Sequence, residues 1–377
     1  MKATVFSILD TPAFGGAEQY LFAALKVLVQ DGHPIVLGIN NETVKKIYKE
    51  RITKEKLENF KIIDLPYRLD AIGNWRGLVK YFFALPGATL WLIKEIKILK
   101  YPICLFPGYT DRLSFSPIVK LMGCKLVWIE YGPLEPVFKR TWGFPKLLYT
   151  IGRPFPDKVI TVSNYSKQSS IKTGKMKDAK LMIIYPPIEI VEQKKTASKT
   201  FTAVSLGRLA SEKQFDLLLY AWKQAGIDGK LLIIGDGPER YLYEELSQKL
   251  GTQKTVQFTG FVGEEKKRKL LQSADVFIFP SSWAWEGFGM TTAEAAGMGI
   301  PVITSGFGPQ VEIIPSEKYG YIFKPNNLSD LAKTLVSVRT DKKLAEKGIL
   351  ARKYAAKHFS LQTFTENIRA VFDSGRD

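Results

Sequence analysis

The 377 residues exceed one ordinary core and point to two domains. Apolar residues at 45% and charged residues at 24% exclude the disordered class, and two cysteines outside any CxxC spacing exclude a disulfide framework or zinc site. The net charge is +17, and 18 basic against 6 acidic residues fall in 71–180, so that segment is expected to meet an anionic surface, nucleic acid or acidic lipid.

From the N-terminus, Lys2 is followed by Asp10 too early for a secretory apolar core, so no signal peptide is expected. The cysteine usage fits a reducing cytoplasm. Short β-branched runs then alternate with longer amphipathic stretches, the rhythm of parallel sheets covered by helices. In the first half the predicted strands are 4–9, 35–39, 61–64, 103–106, 125–129, 158–162 and 181–185. The longest uncharged apolar run, 81–93, is interrupted by Pro86-Gly87 and falls short of the roughly 20 residues a membrane-spanning helix needs. Around it Trp75, Arg76, Lys80, Phe82, Phe83, Trp91, Lys94, Lys97 and Lys100 interleave aromatics with cations. Leu92, Ile93, Ile96 and Leu99 form a candidate apolar side that would insert shallowly into an anionic membrane surface while the lysines meet its headgroups. The plain alternative is a core helix with a solvated basic face. Pro186-Pro187 and the polar stretch 192–199 read as a linker. Beyond it the predicted strands are 202–206, 231–234, 256–259, 276–279, 301–304 and 321–323. Each set is a complete open sheet, and ligands bind such sheets beyond the carboxyl ends of the strands.

Three strand-to-helix turns carry candidate chemistry. Phe14-Gly15-Gly16-Ala17-Glu18 follows the first strand and suits close backbone approach by a phosphate, with a plain turn as the alternative. Gly207-Arg208-Leu209-Ala210-Ser211-Glu212-Lys213-Gln214 reads as a loop with a capping box at Ser211 and Gln214. A helix is therefore expected to begin at Ser211, with Lys213 in its first turn. A cation there opposes the helix dipole unless an anion such as a diphosphate sits at the helix start, and Arg208 would fork onto the same anion. The alternative is two solvated charges. In the third turn Gly287 and Gly289 permit close backbone approach, and Glu286 and Glu294 can accept from sugar or ribose hydroxyls. Thr291 and Glu294 also match a capping box in their own right. His33 and His358 read as structural, and no HExxH, EF-hand or GxSxG pattern occurs.

Taken in order, these segments resemble the family 4 retaining glycosyltransferases of GT-B fold. The resemblance rests on GRL-x-x-EK at 207–213, GDGPE at 235–239, F-x-G at 258–260, SADVF at 273–277 and EGFG-x4-EA-x3-G-x-PV at 286–302. It implies two Rossmann-like doubly wound parallel-sheet domains facing across a cleft. These would be an acceptor-side domain over 1–188, a nucleotide-sugar-binding domain over 189–358, and a C-terminal helix in 359–377 crossing back to the first. It also implies roles: Arg208 and Lys213 clamp the donor diphosphate, and Glu294 holds the ribose. Glu286 and the backbone of Gly287, Phe288 and Gly289 meet the sugar, the backbone near Phe261 and Val262 edges the base, and Gly15-Gly16 closes on the donor. Where the family commonly carries a histidine, this chain has Glu130, a substitute for positioning the acceptor. The family's Gly-Gly-x-x-Glu becomes Gly306-Phe307-Gly308-Pro309-Gln310-Val311-Glu312.

The expected reaction moves a sugar from a nucleoside-diphosphate sugar to a glycan or lipid-linked acceptor, with retention, no cofactor and no metal. The expected place is the inner face of the cytoplasmic membrane, bound peripherally. A catalytically idle sugar-nucleotide-binding scaffold is one rival. A nucleic-acid binder is the other, but no recognition module or RNP-like aromatic pattern supports it, so no nucleic-acid partner is expected.

Overall fold

The central strands are apolar on both faces, and this dictates the architecture. In β1 (Val5–Leu9), β2 (Ile35–Ile39) and β5 (Leu126–Glu130) every position is buried, so no solvated face alternates with a core face. Such strands need helices on both sides, and parallel pairing with crossover helices supplies them. The computed structural model describes residues 2–69, 75–191 and 200–373, and the expected linker at 192–199 lies outside them.

All thirteen predicted strands form. With β3 (Phe60–Asp64), β4 (Ile103–Phe106), β6 (Lys158–Thr161) and β7 (Leu181–Ile183), the first sheet runs β3-β2-β1-β4-β5-β6-β7. The second comprises β8 (Phe201–Leu206), β9 (Gly229–Ile234), β10 (Val256–Gly260), β11 (Val276–Phe279), β12 (Val302–Ser305) and β13 (Tyr321–Phe323), in the order β10-β9-β8-β11-β12-β13. Every pairing between these strands is parallel. The strand order reverses direction beside β1 and β4 in one sheet and beside β8 and β11 in the other. These are the switch points where doubly wound sheets bind ligands.

The chain divides into two compact units. One holds the residues up to Pro187 together with those from Phe364 onward, and the other runs Ile188–Thr363. Most of the last helix, Leu361–Asp373, therefore completes the first unit. It buries Phe364, Ile368, Val371 and Phe372, at about 2 kcal/mol each. The Phe364 ring meets Tyr20 edge-on at 5.4 Å, and Arg369 forks onto Asp31 at 2.6–2.9 Å.

The Trp75–Ile98 helix departs from expectation, because it runs unbroken through Pro86. Proline forgoes one backbone bond there, and packing of Tyr81, Ala88, Leu92 and Ile96 against the first core carries the helix across. The apolar side expected to enter a membrane is thus corrected: Leu92 and Ile96 are fully buried, with Leu99 packed beside them. Among the described residues no helix is long and apolar enough to cross a membrane.

Candidate functional site

In the second unit, two loops leave the carboxyl ends of β8 and β11 side by side. The loop after β8 is held from one side by the glycine-rich turn after β9. Leu209 N donates to Asp236 O at 2.9 Å, and Glu239 N donates back to Leu209 O at 2.9 Å. The turns touch through glycine backbones: a Cβ on Gly235, whose φ is +130°, would sit 2.0 Å from the Gly207 carbonyl oxygen. A Cβ on Gly237 would sit 2.3 Å from that of Leu209. Glycine in GDGPE is thus a packing requirement that sets the position of Arg208.

From the other side, the same loop is tied to the loop after β11. Ser281 Oγ donates to the Glu212 carbonyl at 2.7 Å, and Gln214 Oε1 accepts from Ser282 N at 2.7 Å. Gln214 Nε2 reaches Asn326 Oδ1 at 2.6 Å. The expected capping box at Ser211 does not form. Ser211–Lys213 is a single 3-10 turn, Gln214 is left-handed at φ 54°, and the helix begins at Phe215. Lys213 therefore lies one turn before the helix rather than inside it. The reason is tertiary: the left-handed Gln214 delivers its amide to the neighbouring loop, while Phe215 drops into the core.

That arrangement aims Lys213 at the third turn. Its ammonium donates to Glu286 Oε2 at 2.6 Å and stands over the rings of Phe279 and Trp283 at 5.4 and 5.3 Å. Both charged side chains keep about a fifth of their surface open, 19% and 17%. The cation is thus fixed on an aromatic floor beside an acid, within reach of a solvent-borne anion. Arg208 is two-thirds exposed and held at its Nη2 by Glu212 Oε1 at 2.5 Å.

Beyond Glu286 the chain passes Gly287 and turns at Gly289, left-handed at φ 98°, which caps the Met290–Gly297 helix. The capping box at Thr291 is therefore also corrected: Gly289 holds the cap position and frees the Glu294 carboxylate. Glu294 instead accepts from Lys267 at 3.2 Å, a partner unpredicted from sequence although Glu264 and Lys267 stand at helical spacing. Burial lifts the Glu294 carboxyl above its ordinary value, and Lys267 opposes the rise. Phe288 turns its ring into the interior, edge-on to Phe359 at 5.2 Å, so its backbone alone faces the turn. Phe261 projects into solvent after β10, with Val262 half-buried. In the variant loop after β12, Gln310 is buried and donates nothing from Nε2, which a Cβ on Gly289 would strike at 2.2 Å.

The first unit holds the remaining candidates. Gly15 N-caps the Gly16–Gln30 helix, and its N–H donates to Glu18 Oε2 at 2.8 Å while Thr11 Oγ1 donates to Glu18 Oε1 at 2.7 Å. Glu130 ends β5 but faces Arg112, whose Nη2 donates to Glu130 Oε2 at 2.7 Å, with both side chains buried. It is therefore not presented to solvent as an acceptor ligand. Burial raises its carboxyl, and Arg112 pulls it back. His33 is buried with Nδ1 2.8 Å from the Ala3 carbonyl, and His358 lies against Tyr354, both structural as expected.

Comparison with known proteins gives a match within the second unit. Residues 188–355 match the family described as glycosyl transferases group 1. That stretch spans most of the second unit, and the paired parallel sheets share the GT-B fold of solved glycosyltransferases. The similar curated proteins include an uncharacterized glycosyltransferase of Haemophilus influenzae, 23% identical over 345 residues and covering 89% of this chain and 90% of that protein. The phosphatidylinositol N-acetylglucosaminyltransferase gpi3 subunit of Schizosaccharomyces pombe is 27% identical over 374 residues, covering 96% of this chain and 75% of that one. Among solved structures, Anabaena HepE in complex with UDP aligns with a TM-score of 0.80 at 18% identity, covering 99% of this chain and 100% of that chain. The transferase reading and the loops built around Lys213 and Glu286 thus coincide on the second unit.

Proposed function

We propose that this chain is a glycosyltransferase that moves a sugar from a nucleoside-diphosphate sugar to an acceptor hydroxyl with retention of anomeric configuration and without a divalent metal. The observation that carries the reading is Lys213, held on Phe279 and Trp283 and paired with Glu286 where the loops after β8 and β11 meet. Sugar transfer passes through an oxocarbenium-like state while the nucleoside diphosphate leaves. The charge that develops on the leaving phosphates needs fixed cations and N–H groups. Lys213, Arg208 and the amino end of the Met290–Gly297 helix supply them. Glu286 hydrogen-bonds the sugar and Glu294 the ribose. In this reading Glu286 is engaged by Lys213 and the sugar hydroxyls rather than attacking the anomeric carbon, and the departing phosphate takes the acceptor's proton during front-face attack.

Uridine is the first base to try, because HepE has been solved with both UDP and UDP-glucose. A lipid-linked or envelope glycan is the favoured acceptor, as the yeast relative's name specifies a phosphatidylinositol substrate and the first unit is strongly basic. The test is a thermal-shift screen of donors, followed by NMR of the product anomer with and without chelator. Retention with undiminished rate in chelator is expected. An inverted product, or activity restored only by magnesium or manganese, overturns the mechanism, and donor binding without turnover on any acceptor favours the idle scaffold.

A further inference from the structure

The Trp75–Ile98 helix is apolar on two opposite sides. Its inner side, Tyr81, Ala88, Leu92 and Ile96, belongs to the first core. Positions 79, 83, 86, 90, 94 and 97 advance by three or four and so share the opposite, outward side. The middle of that stripe is bare hydrocarbon: Phe83 is 84% and Leu90 70% exposed, with Val79 also exposed. Its ends are basic, Arg76 and Lys80 before the apolar part and Lys94 and Lys97 after it.

The apolar surface continues onto a second helix. Phe82 leans on Phe144 at 5.7 Å, and Tyr81 meets the same ring at 5.9 Å. Phe144 opens the Phe144–Gly152 helix, where Leu147 and Ile151 follow it at three and seven residues, on the same side and exposed. Trp142, just before this helix, is 89% exposed, with Lys139, Arg140 and Lys146 around it. Scattered exposed apolar residues are ordinary, but a contiguous aromatic patch of this kind marks an interaction surface.

Charge selects the partner. Residues 75–153 carry 12 basic and 4 acidic side chains. Of the acids, Asp111 and Glu130 are buried and Glu135 is held by Ser169 and Thr173, which leaves Glu95. Among the described residues, Lys80, Lys94, Lys97, Lys139 and Lys146 make no ion pair. Large rings flanked by unpaired lysines match a bilayer interface, where rings enter the headgroup boundary and ammonium groups meet phosphates.

We propose that this face, Val79, Phe83 and Leu90 with Trp142, Leu147 and Ile151, seats the first unit on an anionic lipid bilayer. The proposal rests on the lipid-linked-acceptor reading above, but its test reads lipid binding directly and can fail or succeed independently of sugar transfer. The full chain is floated with vesicles of phosphatidylcholine alone and of phosphatidylcholine mixed with phosphatidylglycerol. Recovery is expected with the anionic vesicles only, weakening as salt rises. Each lost basic contact lowers partition about fivefold, so Lys94→Glu with Lys97→Glu lowers it at least tenfold. Phe83→Ser with Leu90→Ser removes most of the binding at any salt, while Phe83→Trp retains it, and unchanged melting and UDP response exclude misfolding. Equal recovery on both vesicles, recovery on neither, or wild-type flotation of the serine variant overturns the proposal. So does a sedimenting dimer that the serine variant dissolves without any vesicle binding, because the patch is then a contact between copies.

Discussion

The Lys213 ammonium lies 2.6 Å from Glu286 across two loops that are 73 residues apart in the chain. Neither loop places its residue alone, because Ser281 and Gln214 bind each loop to the other. Lys213→Ala should lower turnover by about two orders of magnitude or more, the usual loss for a removed transition-state charge contact. Arg208→Ala should act in the same direction. Arg208 is two-thirds exposed, so its loss should hardly move the melting temperature, whereas Lys213→Ala leaves the largely buried Glu286 without its cation and should lower it somewhat. Steady-state kinetics at saturating donor decides it: turnover near wild type removes the residue from the diphosphate clamp.

The strands were legible because they are short apolar or β-branched runs, the central ones buried on both faces, a pattern that needs only local sequence. The helix starts at Ser211 and Thr291 were not, since capping patterns describe neighbours in the chain. Here left-handed Gln214 and Gly289 set the starts through contacts with distant loops. The same limit applies to Glu130, whose strand-end position suggested acceptor contact while the Arg112 guanidinium delivered by the preceding helix holds it. Hydrophobic periodicity also failed on the Trp75–Ile98 helix. A helix apolar on two sides does not reveal which side meets the core, so Leu92 and Ile96 stood in for Phe83 and Leu90.

Gly235 tests whether GDGPE acts through packing. A Cβ there would overlap the Gly207 carbonyl, at a φ of +130° that L side chains rarely adopt. Gly235→Ala should cost about 2 kcal/mol or more in urea denaturation. It should also lower activity with soluble donor by displacing Arg208. Unchanged stability would mean the turns are free to separate.

Glu294 should set an acid limb on donor binding. Its carboxyl is raised by burial and held down by Lys267, so protonation begins above the ordinary glutamate range. UDP affinity should fall as pH drops through that raised value, because the protonated acid no longer accepts from both ribose hydroxyls. Lys267→Met removes the restraining cation and should move the limb to higher pH. Titration calorimetry across pH reads this directly, and a limb that stays in place would break the link between Glu294 and the ribose.

Asp111 should make the first unit less stable as pH rises. It is 2% exposed, Oδ1 has no hydrogen-bond partner, and burial followed by the charge of Asp10 lifts its carboxyl well above 3.8. The Tyr67 hydroxyl faces it and opposes the rise only weakly. At low pH the proton is bound in both folded and unfolded chains, so the shift costs nothing. Above about pH 4 the unfolded chain ionises first and the folded one keeps its proton. The folded state then binds more protons, and its stability falls by up to about 1.4 kcal/mol per pH unit until the folded carboxyl ionises. Asp111→Asn cannot ionise and should remove this slope while fitting the same volume. Glu130 and Glu294 are also raised and are common to both proteins, so the difference between the wild-type chain and the Asp111→Asn variant isolates the one group. Urea midpoints of the two proteins should converge near pH 4 and separate toward pH 8, with the variant the more stable. Parallel curves across that range would show that Asp111 ionises in the folded protein as it does in the unfolded chain.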